Sequence, residues 1–229
     1  MLFDLHMHSR YSVDALSKPD TIIKICKKNN WGFSLTDHNN MNAYTKGNIV
    51  KNAKKEGVFL IPGEEIKVLA NEEKKAKCVG EVIAYFLNKE IAPTTFENIL
   101  DQVKAQDAML ACPHPFDWPR KKFSAFPKEW KKFDAMEVYN ARAYYQGLNE
   151  QSLKFYSEVA KDKLAPLANS DAHTPEEIGN GLTEINASNE TEFRREIKKR
   201  RTTPMPQGKA KLWHHFQTQM ARKHLMKER

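Results

Sequence analysis

The sequence predicts an α/β barrel that carries its chemistry at one rim. Two observations support this. Strand-like and helix-like segments alternate six or seven times along the 229 residues, the pattern of parallel strands joined by helices. The clusters of His, Asp and Glu each follow a short apolar, β-prone run. They are Asp4-Leu5-His6-Met7-His8-Ser9, Thr36-Asp37-His38-Asn39, Pro62-Gly63-Glu64-Glu65, Cys112-Pro113-His114-Pro115 and Asn169-Ser170-Asp171-Ala172-His173. At the carboxyl ends of barrel strands such side chains converge on one face.

Each element has its own signal. Residues 2–7 read as a strand and 17–30 as a helix, opened at Ser17 or Asp20, with Ile22, Ile23 and Cys26 on its apolar face. Residues 33–36 form a second strand, and 42–56 a helix that ends at Gly57. Residues 58–61 form a third strand, broken by Pro62-Gly63. Residues 65–69 and 78–87 pair as a hairpin across the charged loop 71–77. Thr94 or Thr95 caps a helix that runs to about Gln106. A strand at 108–112 leads to His114, and the proline-containing stretch 116–132 reads as a long irregular loop. Strand 135–139, helix 145–161, strand 164–168, strand 181–187 and helix 190–201 follow, and this repeated β-then-α order implies parallel strands in the barrel. Residues 202–209 (Thr-Thr-Pro-Met-Pro-Gln-Gly-Lys) break regular structure. Residues 210–229 form a basic helix whose Leu212, Trp213, Phe216 and Met220 are expected to pack on the body. The domain reading is a catalytic barrel over 1–201 and a basic helical extension over 202–229.

Composition excludes several classes. No run of eighteen apolar residues occurs, so no helix is expected to span a membrane. A basic n-region followed by an apolar h-region is absent from the start, which argues against a signal peptide. The three cysteines, Cys26, Cys78 and Cys112, are odd in number and far apart, as expected of a cytoplasmic protein. The net charge of +8 suits phosphorylated or polyanionic partners. Most of that excess lies beyond Asn189, so charge alone does not identify nucleic acid as the partner.

The residue types point to metal chemistry. His6 and His8 at i, i+2 project from one face of a strand. Two neutral imidazoles aimed together are half of a metal site, and the acidic clusters supply the anionic remainder. His214, His215 and His224 lack such context and read as exposed tail residues.

Taken in order, these motifs resemble those of the PHP (polymerase and histidinol phosphatase) superfamily. Asp4–Ser9 with Tyr11-Ser12-Val13-Asp14 is similar to its first motif, and Thr36-Asp37-His38-Asn39 to its second. Pro62-Gly63-Glu64-Glu65 resembles the strand of its bridging glutamate. His114-Pro115-Phe116-Asp117 and Ser170-Asp171-Ala172-His173 resemble the third and fourth motifs. The resemblance covers about residues 2–187.

The resemblance implies a distorted (β/α)7 TIM-like barrel. It implies a cluster of two or three divalent ions (Zn, Mn or Fe) that hydrolyses phosphate esters with a metal-activated water. His6, His8, Glu65 and Asp171 would hold the first ion, and Asp14, His38 and His173 the second. Glu65, Glu81 and His114 would hold the third. The bridging position is fourth from the proline, which selects Glu65 over Glu64. Glu81 stands where the family often has histidine, and its harder, charged oxygen alters metal preference. Asp37 is expected to orient an imidazole. Arg142, after the strand ending at Tyr139, is expected to contact substrate phosphate, with Arg10 and Arg120 as further candidates.

The expected substrate is a phosphorylated small molecule or nucleotide. A second reading is a 5′–3′ or 3′–5′ exonuclease on oligonucleotides, with Phe116, Trp118, Phe123 and Phe126 available for base stacking. A third is a non-catalytic, metal-stabilised module.

Overall fold

Elementary signals place most elements where the structure, a computed structural model, has them; it describes residues 1–225. In chain order they are β1 (Leu2–Met7), α1 (Pro19–Asn29), β2 (Trp31–Leu35), α2 (Asn42–Thr45), α3 (Ile49–Glu56), β3 (Leu60–Leu69), β4 (Cys78–Tyr85), α4 (Phe96–Ala105) and β5 (Met109–Cys112). Then come α5 (Phe126–Glu129), β6 (Ala135–Asn140), α6 (Gln146–Phe155), β7 (Ala165–Asn169), β8 (Gly181–Ile185), α7 (Glu190–Lys198), β9 (Thr202–Pro206) and α8 (Leu212–Leu225).

Among the described residues, nine strands form one sheet in the order β7-β6-β5-β4-β3-β2-β1-β8-β9. It curls into a nearly closed, distorted TIM-like barrel. Its two ends meet through side chains rather than a backbone ladder. Thr183 Oγ1 both donates to Ala168 O and accepts from Ala168 N, at 2.9 Å each. Thr202 Oγ1 donates to Pro166 O at 2.7 Å. A Cβ on Gly181 would lie 2.3 Å from Asn169 O, so only glycine lets β7 and β8 approach.

The expected hairpin is present, but the implied parallel order does not hold for all the other strands. β1–β2, β2–β3, β5–β6 and β6–β7 are parallel. β3–β4, β4–β5, β1–β8 and β8–β9 are antiparallel. The β7–β8 link (170–180) contains no α-helix to carry a parallel crossover. Pro62-Gly63 does not break a strand either: β3 runs through it, and Gly63 N donates to Tyr44 Oη at 3.1 Å. The helix expected over 42–56 is instead two, because Asn48 turns left-handed (φ 51°) between them. Residues 202–209 are not irregular at their start, since β9 pairs along the whole of β8.

The barrel interior is filled by Phe3, Leu5, Ile61, Ile83, Tyr85, Met109, Ala111, Ala135 and Leu167, with Phe193 and Ile197 of α7 packed on the same cluster. Strict alternation along β1 would put Leu5 and His6 on opposite faces. The β1–β2 register shifts between Asp4 and Met7, and such an irregularity re-aims the following side chains. His6 and His8 can therefore join the interior above Phe3 and Leu5. In the loop 116–132, Phe123 and Phe126 are buried core residues, leaving Trp118 exposed.

Candidate metal centre

All nine side chains expected to hold metal converge at one end of the barrel. His6 and His8 come from the end of β1, and their Nε2 atoms lie 3.1 Å apart. Asp171 Oδ1 sits 3.6 and 3.4 Å from those nitrogens. These spacings match the edge of a tetrahedron, about 3.3 Å for metal–nitrogen bonds of about 2.0 Å. The other nitrogens are occupied. His6 Nδ1 meets Glu137 Oε1 at 2.8 Å, and His8 Nδ1 meets Ser12 Oγ at 3.3 Å. Both partners leave Nε2 free as the ligand atom.

Glu137 was not found by sequence reasoning. It also accepts from His114 N, Asn140 Nδ2 and Asn169 Nδ2 at 2.7–2.9 Å. Its signal was a carboxylate inside the apolar run Ala135-Met136-Glu137-Val138, where a buried charge needs partners.

Asp14, His38 and His173 form the second group. Asp14 Oδ1 lies 3.6 Å from both His38 Nε2 and His173 Nε2. His173 Nδ1 donates to Asp171 O at 2.8 Å, which fixes Nε2 toward Asp14. Among the described residues, Asp37 makes no hydrogen bond to an imidazole. It accepts from Ser9 N, Ser9 Oγ and Ser12 Oγ at 2.7–2.8 Å, and Ser12 passes the contact to His8 and to His38 N.

Glu65 sits at the centre. Its Oε1 is 3.2 Å from His114 Nε2 and 3.5 Å from His6 Nε2. Its Oε2 is 2.8 Å from His38 Nδ1 and 3.5 Å from His8 Nε2. Glu64 points away and accepts from Ile91 N at 2.9 Å. Because β4 runs antiparallel, Glu81 near its start reaches the same rim, opposite Lys67. It lies 3.9 Å from His38 Nδ1 and 3.4 Å from Lys121 Nζ. Among the described residues, the close groups of donors are His6–His8–Asp171, His8–His38–His173, His6–Glu65–His114 and His38–Glu65–Glu81. Glu81 and His114 therefore fall in different groups joined by Glu65.

This donor set fits divalent cations. Among the described residues, Asp14 Oδ1 and His114 Nδ1 are buried without a hydrogen bond, and His38 Nδ1 and Glu65 Oε2 are paired with each other at 2.8 Å. Unpartnered buried polar atoms are costly unless an ion satisfies them. His114 and Asp171 hold left-handed backbone (φ 31° and 54°), strain of the kind that collects at functional sites.

Charge is finely opposed here. Burial raises Glu65, but His38 and His6 hold it well below the ordinary carboxylate range. Burial raises Asp171 too, and His6 and Arg120 outweigh it. Asp14 is brought down to about 2 because His173 and His38 overcome its burial. Burial lowers His6, yet Asp171, Glu137 and Glu65 keep it well above its usual value. His38 rises to about 9, chiefly through Glu65 acting against burial. The carboxylates are thus ionised and protons occupy ground that cations can take.

The cluster opens into a cavity of about 350 Å³. Arg120 lines it while bonded to Asp171, to Asp117 Oδ2 (2.6 Å) and to Asn140 Oδ1 (3.0 Å). Arg142 also lines it, gripped by Glu177 at 2.6 and 2.8 Å. Arg10 is exposed and stacks over Tyr11. Lys121 and Tyr144 line the cavity too, and α8 forms a further wall with His215, Thr218, Gln219 and Arg222. This reverses two expectations. His214 is buried and His215 half-buried, not exposed; the side chain of His224 is outside the described residues. Leu212, Trp213, Phe216 and Met220 are exposed rather than packed on the body. No described helix is long and apolar enough to cross a membrane.

Comparison with known proteins agrees with this geometry. An uncharacterised protein of Methanocaldococcus jannaschii is 34% identical over 196 residues, covering 82% of this chain and 72% of its own length. The fold matches PsfC from Pseudomonas syringae (TM-score 0.65, 18% identity, 100% and 98% of the two chains). It also matches a protein of Bifidobacterium adolescentis described as a metal-dependent phosphoesterase (TM-score 0.60, 14% identity, 92% and 97%). Endonuclease Q, solved with a 27-mer duplex bearing an abasic lesion, matches at TM-score 0.59 and 17% identity over 87% of this chain and 57% of that one. The sequence profile of the PHP domain matches residues 4–197, and the chain belongs to the PHP domain family.

Proposed function

We propose that the protein is a metal-dependent phosphoesterase that hydrolyses a small phosphomonoester or nucleotide. The observation that carries this is the convergence of five imidazoles and three carboxylates, Asp14, Glu81 and Asp171, around Glu65, with buried polar atoms such as Asp14 Oδ1 left without hydrogen bonds. His6, His8, Asp171 and Glu65 hold one divalent ion; Asp14, His38 and His173 hold a second. Glu65 with His114 or Glu81 serves a third. Bound Zn, Mn or Fe supplies Lewis-acid charge at the phosphoryl group and activates water at neutral pH.

The chain's own residues do the rest. Glu137 and the Asp37–Ser12 pair fix imidazole tautomers, so that the donor atoms need no rearrangement. Arg120 holds the second oxygen of Asp171 and adds positive charge at the cavity wall. A cavity of about 350 Å³ suits a small ester and lies at the lower end of ligand pockets.

The test is a hydrolysis panel with Mn, Zn or Fe added: an aryl phosphate, histidinol phosphate, nucleoside mono- and bisphosphates, and labelled DNA and RNA. Metal-dependent release of phosphate from a monoester, lost in Glu65→Ala, is expected. Stoichiometric metal with no turnover on any substrate would instead mark a metal-stabilised module. The exonuclease reading draws support from Trp118 and Tyr145, both exposed and stacked at 6.4 Å, since such rings can take bases. It requires phosphodiester cleavage that weakens steeply with salt.

A further inference from the structure

We infer that α8 is the substrate-binding wall of this site, with Arg222 as its anion-contacting residue and Arg142 as the latch that holds the helix. The inference rests on the phosphoesterase reading and assigns α8 a part in recognition.

Three observations lead there. First, α8 is inverted. A helix that docks by hydrophobic burial turns its apolar stripe inward. Here His214 and Thr218 are buried, while Leu212, Trp213, Phe216 and Met220 face out. Its attachment is therefore polar. Second, that attachment consumes the Arg142 fork. Nη1 donates to both Glu177 oxygens at 2.6 and 2.8 Å. Nη2 reaches Thr218 Oγ1 at 3.1 Å and His215 Nδ1 at 3.4 Å. Both terminal nitrogens are thus occupied, and substrate would have to displace the helix to use them. Glu177 Oε2 also accepts from His173 N at 3.0 Å and Thr174 N at 2.9 Å, so the latch is tied to the backbone of a metal-ligand candidate.

Third, Arg222 lies one turn beyond Thr218 on the same side of the helix and lines the cavity with Asp14, Glu81 and Asp171. It is exposed, and among the described residues no carboxylate pairs with it. A cation left unpaired at the mouth of an anion-binding pocket is available to phosphate oxygens.

The test compares manganese-loaded wild type, Arg222→Met, Arg142→Lys and Thr218→Val. It uses calorimetric titration with orthophosphate and hydrogen exchange over residues 212–225. Arg222→Met should weaken orthophosphate about tenfold, as loss of one charge-assisted contact does, with exchange of α8 unchanged. Arg142→Lys keeps the charge but loses the fork. That variant and the milder Thr218→Val should both speed exchange of α8 and weaken orthophosphate. Unaltered affinity in Arg222→Met overturns the inference while leaving the phosphoesterase reading intact. Weakened affinity in Arg142→Lys without faster exchange makes Arg142 a direct contact and overturns the latch. A wild type that hydrolyses no ester and binds no orthophosphate removes the phosphoesterase reading, and this inference with it.

Discussion

Ser12 Oγ meets three partners: it donates to Asp37 and faces His8 Nδ1 and His38 N. Its loss frees two imidazole-bearing segments at once. Ser12→Ala should lower metal affinity about 10- to 100-fold, as removal of a ligand's supporting partner does, with little change in melting temperature of the metal-free protein. Competition against a chromophoric chelator measures it, and an unchanged affinity would remove Ser12 from the site. Glu64 offers a separate residue-scale test. Burial, helped by Glu90, pushes its carboxyl up to about 8 against the Ile91 N–H bond. A raised folded pKa means the folded state binds the extra proton. Stability is then fully present below the ordinary value of 4.5 and is lost as pH rises toward about 8, by at most about 1.4 kcal/mol per pH unit. Glu64→Gln should therefore gain melting temperature over wild type progressively from pH 5 to pH 8, then level off. A gain that shrinks with pH would reverse the assignment. At this scale the converging His, Asp and Glu side chains were legible because their residue types suit divalent cations and each follows a strand-like run. Glu137 and Ser12 were not, because ordinary residues become supports only through contacts distant in sequence.

Among elements, α8 departs furthest from its pattern. Spacing of Leu212, Trp213, Phe216 and Met220 is that of a buried stripe, yet all four are more than half exposed. Trp213 and Phe216 stack on one another at 5.5 Å instead. Phe216→Ser should change stability by no more than about 0.5 kcal/mol, the range of exposed substitutions. Thermal denaturation checks it, and a loss of several kcal/mol would mean the stripe is buried. β9 was illegible for a different reason. Pro204 and Pro206 argue against a strand interior, but β9 is the sheet's edge and pairs only with β8, where missing N–H groups are tolerated. The antiparallel β3–β4 hairpin could be read from its charged loop. The reversed β8 could have been read from a β7–β8 link holding no α-helix.

For the whole molecule, barrel closure joins the site to the fold. Asn169 at the end of β7 donates to Glu137 and accepts from Leu5 N at 3.0 Å, while its backbone carbonyl abuts Gly181. Asp4 spans the same seam, accepting from Ser170 N and Gly179 N. Gly181→Ala should therefore cost about 2–4 kcal/mol, as clashes with unyielding backbone do, and should loosen metal binding in step. Denaturant unfolding with and without metal reads both, and a variant as stable as wild type would show that the seam can open. On the proposed function, these residues assemble a multi-ion hydrolytic centre around Glu65. Anomalous diffraction at the manganese edge, from crystals grown with manganese, tests it most directly. At least two peaks are expected within about 4 Å of one another, one against His6, His8 and Asp171 and one against Asp14, His38 and His173. No peak, or a single peak away from Glu65, would contradict it.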